Sequence, residues 1–205
     1  MKHLSILALF LGQFILAQQF SKDEVTLINK GNITELLPIY QTTESHQHEV
    51  LLKQSIDIDP LNPNTKILVD RMKLSLLSTK GGVGIAGPQV GVNRKVIWVK
   101  RFDKEGTPLE YFLNPVITWK SELQNLGPEG DLSIPDFREQ FYRSKVIKLH
   151  YQTLDGKHHE EIVEGFTAVI FQHEIDHLFG ILIKDKKEKE AHNLYQKIEA
   201  YLPTK

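Results

Sequence analysis

The stretch FQHEIDHLFG, residues 171–180, combines two imidazoles and a carboxylate at a spacing that suits metal-assisted hydrolysis. His173 and His177 are four residues apart, so a helix through this stretch presents both rings on one face. A bound divalent ion lowers the pKa of its water to about 7, which makes that water a nucleophile at neutral pH. Glu174 lies beside the first histidine and would take the proton from this water and pass it to the leaving nitrogen.

A five-residue pattern also arises by chance, and the alternative is a polar helix face that carries two unrelated histidines. Two features of the sequence favour a metal site. The motif lies inside an otherwise apolar segment, where unpaired polar groups are costly. The chain has no cysteine, so the third protein ligand of such a site must be a histidine, aspartate or glutamate from elsewhere.

The segments around the motif predict an α+β domain, because helices flank short runs of β-branched and aromatic residues. We predict a largely buried helix over residues 165–179, with Phe166 among its apolar residues and Gly180 as its stop. Further helices are predicted over Thr65–Ser78 and from about Asp185 to Tyr201. Strands are predicted over Lys95–Lys100, Glu110–Asn114, Val146–Tyr151 and Glu160–Val163, with a turn at Asp155-Gly156 that joins the last two as a hairpin.

Composition and charge bound the classes of function. With 205 residues, 40% of them apolar, the chain is long enough for one domain with a core of its own. The formal net charge is −1, so no strong field attracts nucleic acid or acidic lipid. We therefore expect no nucleic-acid partner. The sequence carries no signal for the oligomeric state.

The first 17 residues have the layout of a secretory signal peptide: a short basic start, the apolar run Leu4–Leu16 and the small residue Ala17. The run is too short to span a bilayer comfortably. We expect cleavage after Ala17, export to the periplasm or the extracellular space, and no stable membrane association afterwards. One alternative is a buried N-terminal helix, which would leave the protein in the cytoplasm; another is a retained membrane anchor.

Beyond this segment, the composition changes once more. Residues 18–55 are polar with scattered apolar positions, and we predict a partly ordered N-terminal extension there. Residues 56–205 are predicted to form the catalytic domain.

Three motifs resemble, in order, the three signatures of peptide deformylases. They are GVGIAGPQ at residues 82–89, EGDLS at residues 129–133 and QHEIDHLFG at residues 172–180. The resemblance covers roughly residues 56–187. It implies a peptide deformylase-like α+β fold, with short mixed or antiparallel sheets around a central metal-binding helix. It also implies metal-dependent removal of the formyl group from formyl-methionyl peptides, so that N-formylated peptides or proteins are the expected partners.

The resemblance also implies roles for individual residues. His173 and His177 match the metal-binding histidines, and Glu174 matches the catalytic acid and base. Gln89, through its side-chain amide, and Leu132, through its main-chain N–H, match the donors to the developing oxyanion.

Substrate contacts and supporting residues follow from the same resemblance. Glycines of the first motif let the main chain approach an extended peptide closely. Arg138 matches an arginine at the far end of the peptide, although a solvated arginine is the alternative. Arg143 and Asp176 match a pair behind the metal ligands. The substrate-binding residues implied in this way are Gly82, Val83, Gly84, Gly130 and Arg138.

Two positions depart from the family pattern. Gly87 stands in place of an alanine of the first motif, which we interpret as a gain of backbone freedom. Asp131 stands where the family has a cysteine ligand. Two histidines with a carboxylate form a common hydrolytic zinc set. We therefore expect one divalent ion bound by Asp131, His173 and His177, with Zn²⁺ favoured and the family-typical Fe²⁺ as the alternative.

Other functions stay open at this point. Asp131 could instead be a residue that does not bind metal, in a catalytically degenerate homologue that only binds peptides. An exported metallopeptidase or amidase of different specificity on the same scaffold is a further alternative to the deformylase.

Overall fold

The computed structural model describes residues 19–190. The predicted signal peptide and the predicted helix beyond residue 190 lie outside the described residues. No helix in the described part combines the length and apolar character needed to cross a membrane.

The described helices are α1 (Lys22–Asn29), α2 (Ser45–Leu51), α3 (Pro63–Leu77), α4 (Gly165–Leu178) and α5 (Ile183–Glu190), with a 3₁₀ turn at Gly87–Val90. The described strands are β1 (Gly84–Ala86), β2 (Val96–Lys100), β3 (Leu109–Lys120), β4 (Gln124–Asp131), β5 (Ile134–Ser144), β6 (Val146–Gln152) and β7 (His158–Glu164).

The strands form two antiparallel units that meet the helix carrying the motif. Five strands make one sheet in the order β1-β2-β3-β6-β7, and β4 and β5 make a separate hairpin. Helix α4 packs on the five-stranded sheet, where the ring of Phe171 meets that of Phe112 edge to face at 4.7 Å between centroids. The predicted α+β class is thereby confirmed.

Helix α4 has the bounds that its sequence dictates. Gly165 begins it at a φ of +65°, and Gly180 follows it at +69°. A Cβ on Gly180 would lie 2.2 Å from the carbonyl oxygen of Leu52, so a side chain does not fit there. The helix is largely buried, as predicted, but Phe166 is 51% exposed because its first turn faces an open cleft.

The remaining predicted elements are present with shifted ends. Helix α3 starts before Thr65, because the side chain of Asn62 caps it and Pro63 takes its first position. Strand β3 runs beyond Asn114 despite Pro115, and the register is irregular at that point. The β4–β5 hairpin was not predicted, because the sequence of β4 is rich in residues of low strand propensity.

The predicted N-terminal extension packs against the rest of the described structure. Ile28 of α1 is fully buried in the same apolar cluster as residues of α3. The buried guanidinium of Arg71 donates to the carbonyl oxygen of Ile28 at 2.7 Å. Arg94 pairs with both carboxylate oxygens of Glu24 at 2.7 Å. This segment therefore contributes to the core that supports the 3₁₀ turn and β1.

Gly87 has a packing role that the sequence did not indicate. A Cβ at this position would lie 2.6 Å from the carbonyl oxygen of Arg94 and 2.7 Å from that of Val92. Both contacts are with main chain, which cannot rotate away. The glycine therefore permits a close approach of two backbone segments, whereas the interpretation as added backbone freedom stays a prediction.

We expect Gly87→Ala to lower the free energy of unfolding by about 1–3 kcal/mol, as overpacking of a buried site does. Urea denaturation measures the change. Gly127→Ala is the matched control, since an added Cβ there has no atom within 4 Å. Its effect should stay within about 0.5 kcal/mol. Equal stability of the two variants would contradict the packing role.

Candidate metal centre

Three side chains predicted as metal ligands converge in the structure. The donor atoms of Asp131, His173 and His177 all lie within 4.8 Å of one another. The two Nε2 atoms of the histidines are 3.3 Å apart, and Nε2 of His177 is 3.6 Å from Oδ2 of Asp131. Among residues 19–190 no other group of three or more such side chains meets this criterion.

The residues present fit a divalent ion. Oδ2 of Asp131 is buried and has no hydrogen-bond partner among the described residues. A buried carboxylate oxygen without a partner is costly, and a cation between it and the two imidazoles would remove that cost. Two imidazole nitrogens and one carboxylate oxygen are also the donor set of many hydrolytic zinc sites.

The second oxygen of Asp131 is held by hydrogen bonds. Oδ1 accepts from the main-chain N–H of Ser133 at 2.8 Å and from Nε2 of Gln89 at 3.2 Å. Gln89 is itself fixed, because its Oε1 accepts from the main-chain N–H of Ala86 at 2.9 Å. The amide nitrogen of Gln89 therefore faces the metal centre.

Glu129 is a functional residue that sequence reasoning missed. One of its oxygens contacts Nδ1 of His173 at 2.9 Å, which leaves Nε2 of that ring for an ion. Arg143 binds both oxygens of Glu129, at 2.7 and 2.8 Å, and also donates to Asp176. The sequence alone did not point to Glu129, because the strand that places it beside Asp131 was not predicted.

Burial and nearby charges set the pKa values of the groups around the centre. It raises the pKa of Glu174 to about 8 and lowers the pKa of His177 to about 4. Burial also opposes the charged form of His173, but the hydrogen bond to Glu129 and the nearby carboxylates outweigh it and raise the pKa of His173 to about 9. At neutral pH a metal ion must therefore displace a proton from His173.

Gly84 makes room for Glu174. A Cβ on this buried glycine would lie 2.3 Å from Oε1 of Glu174. Gly82 is similarly confined, since its Cβ would lie 2.3 Å from Oγ1 of Thr79. The two glycines are thus required by neighbours inside the protein, which is a different reason from the approach of a peptide that the sequence led us to expect.

An open pocket of about 310 Å³ leads to the centre. All five residues predicted to bind substrate line it, among them the exposed side chain of Arg138. Gln89, Leu132 and Glu174 line it as well. The lining also includes residues to which the sequence analysis gave no role in the site: Lys80, Gly81, Pro128, Glu129, Phe166, Val169 and Ile170.

The N-terminal segment supports the loops that carry Gln89 and Leu132, the predicted oxyanion donors. The main-chain N–H of Tyr40 donates to the carbonyl oxygen of Gln89 at 2.8 Å. Nε2 of Gln41 donates to the carbonyl oxygen of Leu132 at 2.9 Å. These contacts tie the 3₁₀ turn and the loop after β4 to the same short segment.

Comparison with known proteins identifies the family. The family model for polypeptide deformylase matches residues 41–193. The chain belongs to the peptide deformylase family. The peptide deformylase of Desulfitobacterium hafniense is 39% identical over 155 residues, which cover 76% of this chain and 99% of that relative. A peptide deformylase-like protein of Rickettsia conorii is 33% identical over 152 residues, covering 74% of this chain and 82% of its own.

Solved deformylase structures have the same fold. A class I type b peptide deformylase from Acinetobacter baumannii aligns with a TM-score of 0.66 and 37% identity, over 73% of this chain and 97% of that one. The enzyme of Thermotoga maritima aligns with a TM-score of 0.65 and 32% identity, over 73% and 96%. The resemblance drawn from three motifs is confirmed, and this deformylase is a metal-dependent hydrolase that acts on formyl-peptide amides.

We expect Glu129→Gln to weaken binding of a divalent ion by about 10- to 100-fold, because the carboxylate that orients His173 is lost. Competition against a chromophoric chelator measures the affinity. Glu105→Gln, at an exposed position, is the control and should bind the ion as the unsubstituted protein does. Unchanged affinity in Glu129→Gln would contradict the orienting role.

Proposed function

We propose that this deformylase removes the formyl group from peptide N-termini with one divalent ion held by Asp131, His173 and His177. The observation that carries the proposal is the buried, unpaired oxygen of Asp131 facing the two imidazoles at the end of an open pocket. When bound, the ion supplies the Lewis acidity that activates water and polarises the formyl carbonyl.

The other roles in the reaction fall to side chains and main-chain groups of the protein. Glu174 takes the proton of the attacking water and delivers it to the leaving amine, a task suited to a carboxyl whose pKa lies near neutrality. Gln89 and the main-chain N–H of Leu132 stabilise the oxyanion. Apolar side chains of α4, such as Val169 and Ile170, line the pocket beside the centre and can bind the first side chain of the peptide.

The pocket also supports a proposal for where the peptide binds. Strand β1 ends the order of the five-stranded sheet, so one of its edges has no partner strand within the described sheet. Residues 81–84 and 128–132 form two walls of the pocket. An extended peptide between these walls can pair with main chain as an added strand. A peptide deformylase from Acinetobacter baumannii has been solved with Met-Ala-Ser bound, which makes formyl-Met-Ala-Ser a suitable assay substrate.

We expect Glu174→Gln to retain the ion and to lower kcat/KM for formyl-Met-Ala-Ser by about 100- to 10,000-fold, because the proton shuttle is removed and the shape is kept. Deformylation is followed by detection of the free amine, with metal content measured on the same sample. Glu160→Gln on the exposed face of β7 is the control. Acetylated and unblocked peptides test specificity, and faster turnover of either would favour the amidase or peptidase alternative.

Zn²⁺ is the ion that we propose for this centre. A carboxylate oxygen is a harder ligand than a thiolate and is not oxidised. Ferrous iron and metal thiolates are both vulnerable outside the cytoplasm, so the replacement of the family's cysteine by Asp131 is consistent with export. Protein purified without added metal should contain mainly zinc by elemental analysis. Iron at high occupancy would exclude this part of the proposal.

Export is proposed from the composition of residues 1–17. Arg94 binds the main-chain carbonyl of Gln19, so the chain joins the folded domain directly after the predicted cleavage site. We expect cell fractionation to find the protein outside the cytoplasm, and Edman sequencing to give a start at Gln18 or close to it. A full-length chain in the cytoplasmic fraction would contradict export, while leaving the catalytic assignment intact.

A further inference from the structure

The two oxygens of Asp131 have different surroundings. Oδ1 accepts two hydrogen bonds, from the N–H of Ser133 at 2.8 Å and from Nε2 of Gln89 at 3.2 Å. Oδ2 has no hydrogen-bond partner among the described residues and lies 3.6 Å from Nε2 of His177. The side chain is fully buried, so water does not equalise the two oxygens.

The donor from Gln89 is itself held in place. The main-chain N–H of Ala86 can only donate, so the amide oxygen of Gln89 must lie on that side and the amide nitrogen on the other. The second proton of this nitrogen is directed toward Oγ of Ser133, at 3.3 Å. Gln89 is 1% exposed, which leaves little room for the amide to turn.

A carboxylate can bind a metal ion in two ways, whereas a thiolate can bind it in only one. A thiolate offers one donor atom, whereas an aspartate can bind a cation through one oxygen or through both. Binding through both fills a further coordination position. Hydrolytic zinc sites keep a position open for water and substrate, so a carboxylate held to one oxygen suits catalysis better.

We infer that Gln89 is a positioning residue that, with the Ser133 N–H, restricts Asp131 to metal binding through Oδ2 alone. This inference rests on the proposed metal centre and adds a second role to Gln89, beside the oxyanion. The same amide thus links the metal ligand to the site where negative charge develops. Loss of its N–H donors frees Oδ1 to turn toward the ion.

The test replaces the ion by Co²⁺, whose visible absorption weakens as its coordination number rises. The full-length protein, in the form in which it is purified, is compared with Gln89→Met, which has a similar volume and no N–H donor. We expect the unsubstituted protein to have the intense bands of a four-coordinate ion. The variant should lose at least half of this intensity and bind Co²⁺ about 10-fold more weakly. Gln124→Met, at an exposed position of β4, controls for the substitution itself.

The outcomes separate the inference from the proposal on which it rests. Absence of Co²⁺ binding by the unsubstituted protein would overturn the metal centre and the inference together. Equal spectra and affinities for the unsubstituted protein and Gln89→Met would overturn the inference alone. If circular dichroism shows that Gln89→Met does not fold, the Co²⁺ spectrum of the unsubstituted protein tests the inference instead. Weak bands of a five- or six-coordinate ion would then overturn the inference, which expects a four-coordinate ion.

Discussion

Three carboxylates are buried beside two imidazoles. The rest of the domain depends on how their negative charges are compensated. Like charges repel strongly where the dielectric is low, so each carboxylate needs its own compensation. Glu129 has the two-pronged guanidinium of Arg143, and burial raises the pKa of Glu174 to about 8, which favours its neutral form. Asp131 has N–H donors on one oxygen only and leaves the other to the histidines. The proposed cation site rests on this asymmetry of Asp131.

This compensation requires elements that are distant in sequence. Strand β4 supplies Glu129 and Asp131, the paired strand β5 supplies Arg143, and α4 supplies the histidines and Glu174. Helix α5 extends the network, since Nζ of Lys186 contacts Oδ2 of Asp176 at 2.9 Å. A β hairpin with little core of its own is thereby fixed against a buried helix by charged hydrogen bonds. The network positions the hairpin and the metal ligands at once.

The sequence predicts most of what depends on local pattern. The apolar surroundings of the motif give the bounds of α4, and β-branched runs give β2, β6 and β7 with small errors at their ends. The hairpin β4–β5 is not predictable in this way, because β4 is rich in residues of low strand propensity. The sequence also does not show why glycine is needed at positions 84 and 87. Only the folded structure places Glu174 beside Gly84, and a carbonyl oxygen beside Gly87, where a Cβ would lie.

The contact between Gln41 and Leu132 joins residues 91 positions apart. Gln41 is therefore synthesised well before Leu132, and closing so long a loop is slow compared with forming a helix. Leu132, a proposed oxyanion donor, thus gains this support only after residue 132 has been made. If the chain crosses a membrane before it folds, as the proposed export implies, it would stay inactive until it folds on the far side. The segment with Gln41 and the loop with Leu132 meet only in the folded domain.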